Sequence, residues 1–257
     1  MKIATWNVNS VKARRERLLA FLEREQPDVL CLQELKTQDA QFPKDDVAQA
    51  GYHAATHGEK TYNGVAILSR TPLEDVRIGM NDAVDDPQAR LISALIGQTR
   101  VLSVYVPNGS EPHSDKYTYK LAWLSRLHTL VGKLLADGTD LVLCGDLNIA
   151  PDERDVARPE QWNDTVLCTP AVRDHFKALL DLGLEDVVRK HNEAGGLYSW
   201  WDYRMLGFVK NNGLRIDHIL ATPSLAARSV EARVDRDERK GKRPSDHAPV
   251  LATFTAP

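Results

Sequence analysis

The chain has 257 residues, and 33 Lys plus Arg against 36 Asp plus Glu give a formal net charge of −3. Hydrophobic residues make up 42% and charged residues 27%, a globular balance that excludes disordered, collagenous and coiled-coil classes. No apolar run approaches the roughly 20 residues that a spanning helix needs, so no membrane partner is expected. A small negative charge leaves nucleic-acid binding to a local basic face.

The pattern predicts short strands alternating with amphipathic helices, without linkers, low-complexity tracts or repeats. Residues 2–6 read as a strand followed at once by charged sequence, so no signal peptide is expected. Residues 11–25 read as a helix with Ser10 as its cap, Leu18, Phe21 and Leu22 on one face, and Pro27 beyond its end. Residues 29–33, 65–68, 91–96 and 101–106 read as strands, and Pro107 stops the last. Residues 114–136 form a long helix striped by Leu121, Leu124, Leu127, Leu130 and Leu134, with Gly138 after it. A strand at 141–144, a helix at 170–182 closed by Gly183, and strands at 214–220, 229–234 and 249–254 complete the chain.

Some strands are continuously apolar, which implies burial on both faces. Val230, Ala232 and Val234 alternate, which implies one buried face. The mixture predicts one domain over residues 1–257, two packed sheets with helices outside. The chain has three cysteines, and Cys31 and Cys144 sit in apolar runs. They read as buried free thiols of a reducing, cytoplasmic compartment.

Polar residues collect where strands end, the usual position for binding groups held by a rigid scaffold. Asn7 follows the first strand, Glu34 the second, and Tyr105 closes the strand before Pro107. Asp146 and Asn148 follow the 141–144 strand. On an extended segment they point the same way; alternatively they form an Asx-turn. Asp217 either pairs with Arg215 at the surface or orients His247. Asp246 and His247 are adjacent and so face different neighbours. A hard cation such as Mg²⁺ takes one or two carboxylates with water and substrate oxygens, which Glu34, Asp246 and Asn7 can supply.

Eight segments carry a family pattern in order: 3–10 (IATWNVNS), 32–36 (LQELK), 62–66 (YNGVA), 105–109 (YVPNG), 145–150 (GDLNIA), 198–204 (YSWWDYR), 213–217 (GLRID) and 245–249 (SDHAP). Together they span nearly the whole chain, which resembles the exonuclease III branch of the exonuclease–endonuclease–phosphatase superfamily. The resemblance implies a DNase I-like α/β fold: a four-layer α/β/β/α sandwich with two mixed β-sheets and the site at one edge. It also implies Mg²⁺- or Mn²⁺-dependent hydrolysis of double-stranded DNA 5′ to abasic sites and at damaged 3′ ends, by a monomer. By motif, Asn7, Glu34 and Asp246 would hold the metal, with Asp146, Asn148 and His247 as the set for a second ion. Asp146 would orient or deprotonate water beside Asn148. His247, paired to Asp217, would contact the phosphate, and Tyr105 would donate to the phosphate or the departing oxygen.

The same resemblance puts Arg90, Asn108 and Lys116 on DNA, and makes Trp200, with Leu214 and Ile216, the lining of a pocket for a flipped-out abasic sugar. Trp201 reads as core and His113 as surface. Lys12, Arg14, Arg15, Arg17, Lys120 and the run 239–243 are further basic candidates near the site. A phosphodiesterase or phosphatase of the same fold acting on a non-DNA phosphoester is the rival reading. The DNA-repair-like segments 199–204 and 213–217 stand against it. A binding module that has lost catalysis would be expected to have replaced Glu34, Asp146, Asp246 or His247, and all four are intact.

Overall fold

A computed structural model describes residues 1–256. The strands in chain order are β1 (Lys2–Asn7), β2 (Val29–Gln33), β3 (His53–His57), β4 (Val65–Ser69), β5 (Glu74–Ile78), β6 (Leu91–Ile96), β7 (Thr99–Tyr105), β8 (Asp140–Asp146), β9 (Glu185–Asp186), β10 (Asp217–Ala221), β11 (Ser229–Val234) and β12 (Val250–Phe254). The helices are α1 (Arg15–Glu25), α2 (Lys44–Gln49), α3 (Asp115–Ala136), α4 (Pro159–Trp162), α5 (Pro170–Asp181), α6 (Val187–His191) and α7 (Pro223–Ala226). No helix among the described residues is long and apolar enough to cross a membrane.

The strands form two six-stranded sheets, ordered β11-β12-β1-β2-β4-β3 and β5-β6-β7-β8-β10-β9. Each sheet has one parallel pair at its centre, β1–β2 connected through α1 and β7–β8 connected through α3. The other pairs are antiparallel. The period-two alternation of the strands builds the layers. Ile3, Val29, Cys31, Val142, Cys144 and Ile219 fill the space between the sheets. On the opposite faces, Ala4, Trp6, Leu30 and Leu32 pack with Leu18, Phe21 and Leu22 of α1. Leu102, Val104, Leu141 and Leu143 pack with Leu124, Leu127 and Val131 of α3 and with Phe176 of α5. The result is the expected four-layer sandwich.

This topology places the site. Asn7, Tyr105 and Asp146 end three of the four central parallel strands, and Glu34 directly follows the fourth. Asn7, Tyr105 and Asp146 continue the inter-sheet faces of Ile3, Val101 and Val142, and Glu34 joins them from a left-handed backbone, so the polar groups gather where the inter-sheet core opens at one edge. Gly145 makes the last step possible: a Cβ there would lie 1.9 Å from the Val104 carbonyl oxygen.

Four expectations change. Val230, expected on the buried face of β11, is exposed where a register shift interrupts its pairing with β12. The first helix starts at Arg15, not residue 11. Ser10 has φ 86°, and the Ser10 and Val11 amides donate to the Glu34 and Leu35 carbonyls at 2.8 and 3.1 Å, which ties this segment to the loop after β2 instead of to a helix. The strand expected at 214–220 begins at Asp217; Leu214 instead bridges to Trp200 and Val156. Asp146 and Asn148 do not share one extended segment, because Asn148 has φ 51° and its amide donates to Asp146 Oδ1 at 2.9 Å. That is the Asx-turn alternative.

Candidate active site

Beneath the site lies a buried polar ladder. Thr5, Gln33 and Ser103 are hydrogen-bonded across the two sheets, with Gln33 Nε2 donating to Thr5 Oγ1 at 3.0 Å and to Ser103 Oγ at 3.1 Å. Above it, Asn7 is fully buried and its Nδ2 donates to Glu34 Oε1 (2.8 Å) and Asp146 Oδ2 (2.9 Å). Asn7 Oδ1 accepts from the Asn9 amide at 3.0 Å. Asn7 therefore turns its NH₂ toward the carboxylates and bridges them. Its Oδ1, the atom a metal would take, accepts that one bond from Asn9 and keeps a second lone pair.

Glu34 reaches the cluster from a left-handed backbone, φ 52°, and Lys36 Nζ lies 2.9 Å from Glu34 Oε2. Asn9, Glu34, Lys36 and Asn148 all have positive φ. Such conformations are costly for non-glycine residues and concentrate at functional sites. Asp246 is held by two donors, Asn9 Nδ2 at 2.9 Å and Trp200 Nε1 at 3.0 Å. Burial acts against its ionisation, but His247 and the Trp200 and Asn9 hydrogen bonds outweigh it and keep the acid below its ordinary range.

His247 Nδ1 lies 2.8 Å from Asp217 Oδ2, and its Nε2 lies 3.7 Å from Asp146 Oδ2. Ser199 Oγ donates to the same Asp217 oxygen at 2.6 Å. Burial pulls the imidazole down, but Asp217 and then Asp146 overcome it and raise it to about 10. Asp146 moves the other way for a carboxylate: burial, with Asp217 and Glu34 nearby, pushes it up to about 7 against the pull of His247 and the Asn7 hydrogen bond. The site thus holds Glu34, Asp146, Asp217 and Asp246 against few positive groups, and added positive charge would stabilise it.

Glu34, Asp146 and His247 each place a ligand-type atom within 4.8 Å of the others. The carboxylates fit a hard divalent cation. His247 is the third member of this group, with Nδ1 on Asp217 and Nε2 turned toward Asp146. Asn148 directs its Nδ2 to the Val106 carbonyl at 2.9 Å and its Oδ1 to Asn108 Nδ2 at 3.2 Å. Asp217 is not the surface partner of Arg215, which is buried and pairs instead with Asp155 and Asp186 at 2.6 and 2.8 Å.

Tyr105 is in register with Asp146 on the neighbouring strand. Burial, with Glu34 and Asp146 close by, holds its hydroxyl well above the ordinary phenol range, so it remains an O–H donor; the Arg90 guanidinium opposes this from 4.8 Å over the ring. Arg90 also donates to the Tyr105 carbonyl at 3.2 Å. Beside Tyr105 opens a cavity of about 560 Å³, lined in part by Tyr62, Arg90, Asn108, Lys116 and Tyr119. Lys116 and His113 are exposed.

Trp200 is half-buried, its ring edge-on to Trp162 with centroids 5.5 Å apart, and Trp201 is fully buried. Leu214 and Ile216 are 0% and 2% exposed and belong to the core beneath α3 and α5. They present no open apolar pocket, which corrects their expected contact with a sugar. Most of the other basic candidates are also engaged. Lys12 donates to Gln41 at 2.6 Å, Arg15 pairs with Asp46, and Arg17 pairs with Glu238 at 3.0 Å. Arg14 binds the Asn9 and Pro244 carbonyls at 2.6 and 2.9 Å. Arg239 is buried over Tyr203 and Phe208, and Lys120 is buried. The sequence reading gave no role to Asn9, Lys36 or Ser199. Their one signal was position, within two residues of Asn7 and Glu34 or inside the 198–204 segment.

The endonuclease/exonuclease/phosphatase family model matches residues 4–247. An exodeoxyribonuclease III from Haemophilus influenzae is 37% identical over 266 residues, covering 99% of this chain and 100% of that protein. Among solved structures, a 3′ phosphatase from Neisseria bound to a product DNA hairpin superposes with a TM-score of 0.98 at 44% identity, over 100% of each chain. An AP endonuclease from Archaeoglobus fulgidus superposes with a TM-score of 0.96 at 40% identity, again over 100% of each chain. The order of these motifs, the paired sheets and the edge site have one common origin: the chain belongs to the endonuclease/exonuclease/phosphatase family.

Proposed function

We propose that the chain is a DNA repair nuclease that hydrolyses phosphodiesters in double-stranded DNA, cutting 5′ to abasic sites and trimming or unblocking 3′ ends. It acts as a cytoplasmic monomer, with residues 1–257 as one domain. The observation that carries the reading is the buried Asp217–His247 pair facing Asp146 across 3.7 Å, beside Glu34. The site combines an acceptor for a water proton with a charged donor for a phosphate oxygen.

Glu34 and Asp146, with Asn7 and Asp246 of the motif set, would hold Mg²⁺ or Mn²⁺. When bound there, that ion supplies charge neutralisation for the phosphate and polarises its oxygens. The chain's own residues do the rest. Asp146 takes the proton of the attacking water, while Asn7 and the Asn148 amide hold its two oxygens in place. His247 donates Nε2–H to a non-bridging phosphate oxygen, with Asp217 on its other nitrogen to keep it charged. Tyr105 donates its hydroxyl to the departing 3′ oxygen. Preorganised donors of this kind act strongly in a dry site, each worth about 10²–10³ in rate. Asn148 and Asn108 support the phosphate side, and Arg90 and Lys116 meet the neighbouring phosphates along the cavity beside Tyr105.

The test uses two labelled duplexes, one with a single abasic analogue and one with a recessed 3′ end, each with Mg²⁺, Mn²⁺ or EDTA. Metal-dependent nicking 5′ to the lesion together with 3′ shortening is the expected result, and Asp146→Asn should abolish both while remaining folded. Shortening without nicking would confine the function to 3′ ends. Action on neither duplex would overturn the reading in favour of a non-DNA phosphoester.

A further inference from the structure

Lys120 lies on α3, and its side chain is fully buried. Its Nζ donates to three backbone carbonyls, those of Asn148 and Val166 at 2.7 Å each and that of Asn108 at 3.1 Å. Three acceptors match the three N–H bonds of an ammonium. Among the described residues no carboxylate forms an ion pair with it. A buried lysine without such a partner is rare, and its charge is costly to bury. A methionine would fill the same space at lower cost if packing alone were needed.

The three carbonyls come from three separate segments: the loop after β7, the loop after β8, and the turn before α5. The first two carry two of the site's amides, Asn108 and Asn148. Asn148 has φ 51°, a conformation that surrounding contacts must hold in place. The loop after β7 also lies flush on the lysine stem. A Cβ at Gly109, where φ is 98°, would meet Lys120 Cδ at 3.1 Å. Lys120 thus connects both loops to a rigid helix from below, while the side chains of Asn108 and Asn148 meet above.

We propose that Lys120 is a positioning residue for phosphodiester hydrolysis, fixing Asn148 and Asn108 through their backbone carbonyls. This rests on the nuclease reading, in which the side chains of Asn148 and Asn108 support the phosphate side. Lys120 itself touches no substrate.

The test is a double-mutant cycle of Lys120→Met with Asn148→Ala, read as kcat and KM on the recessed duplex at saturating Mg²⁺. In the wild-type background Lys120→Met should lower kcat by about 10- to 100-fold with KM for DNA within about 3-fold. In the Asn148→Ala background the same change should cost less than about 3-fold, because residues acting as a unit are not additive. Equal losses in both backgrounds, a loss in KM alone, or unchanged kcat would overturn the proposal. If Lys120→Met does not fold, Lys120→Gln takes its place under the same criteria. A wild-type chain that cuts neither duplex removes the nuclease reading and this proposal together; a wild type that cuts, with an additive cycle, removes only the proposal.

Discussion

The Asp217 carboxylate lies 2.8 Å from His247 Nδ1 with both side chains closed to solvent, and Asp217 is the direct cross-strand partner of Asp146. That cross-strand register sets the spacing of the proposed base and of the acid that orients the imidazole. Asp217→Asn keeps the shape and removes the charge. The imidazole, raised to about 10 mainly by Asp217 against burial, should then titrate well below that value. Activity on the recessed duplex should fall by about 10²–10³. The checks are NMR titration of His247 and single-turnover cleavage. A histidine that still titrates near 10, with full activity, would show that Asp146 alone holds it.

Much of this arrangement was legible in the chain, for identifiable reasons. Continuous apolar runs such as 29–32 and 141–144 required burial on both faces, and their mixture with alternating strands implied two packed sheets. The strand-end polar residues then gathered because parallel central strands share one carboxyl edge. What could not be read depends on backbone geometry and long-range pairing. Glu34 turns inward from a left-handed residue, which the segment 32–36 does not announce. β5 was missed because all its residues are exposed and mostly charged, which hides period-two burial. Leu214 and Ile216 look like pocket residues by motif, yet they pack into the core under α3 and α5. Arg215 looked like a surface partner of Asp217, and only the fold shows Asp155, sixty positions away, to be its counterion.

That counterion carries a stability prediction. Asp155 is 0% exposed and pairs with both Arg215 and Arg189. Asp155→Ala leaves two guanidiniums short of a partner, one of them fully buried. Breaking one side of such a pair typically costs about 3–5 kcal/mol. Urea unfolding of the variant should show a loss in that range. A loss below about 1 kcal/mol would mean that Asp186 alone satisfies Arg215.

His218 predicts how stability responds to acid. It is fully buried, with Nε2 2.9 Å from the Ile149 carbonyl and Nδ1 3.1 Å from Arg215 Nη1. Burial, then the Arg215 charge, lowers it from 6.5 to about 4, against the pull of Asp186. The unfolded chain therefore takes up a proton between pH 6.5 and 4 that the folded chain refuses. Stability is full above pH 6.5 and falls as pH drops toward 4, by about 3 kcal/mol at most from this group. Denaturant midpoints at pH 7 and pH 5 should differ in wild type and differ less in His218→Gln. Equal slopes in the two proteins would assign the acid response to the carboxylates.

Trp200 combines two roles that substitutions can separate. Its ring stands edge-on to Trp162, and its Nε1 donates to Asp246 Oδ2 at 3.0 Å. Trp200→Phe keeps an aromatic face and removes the N–H. Trp200→Ala removes both. If the hydrogen bond matters through Asp246, both variants should raise the Mg²⁺ concentration needed for half-maximal trimming of the recessed duplex, and by the same factor. If the ring recognises the lesion, only Trp200→Ala should lower abasic incision relative to 3′ trimming, by about 10-fold or more, the scale of about 1–3 kcal/mol for a lost stacking face. Leu214 and Ile216 are closed off beneath it, so Trp200 is the one member of the expected pocket lining with surface to offer a sugar. Equal loss on both duplexes in Trp200→Ala would make it a support for Asp246 and would place lesion recognition elsewhere on this edge.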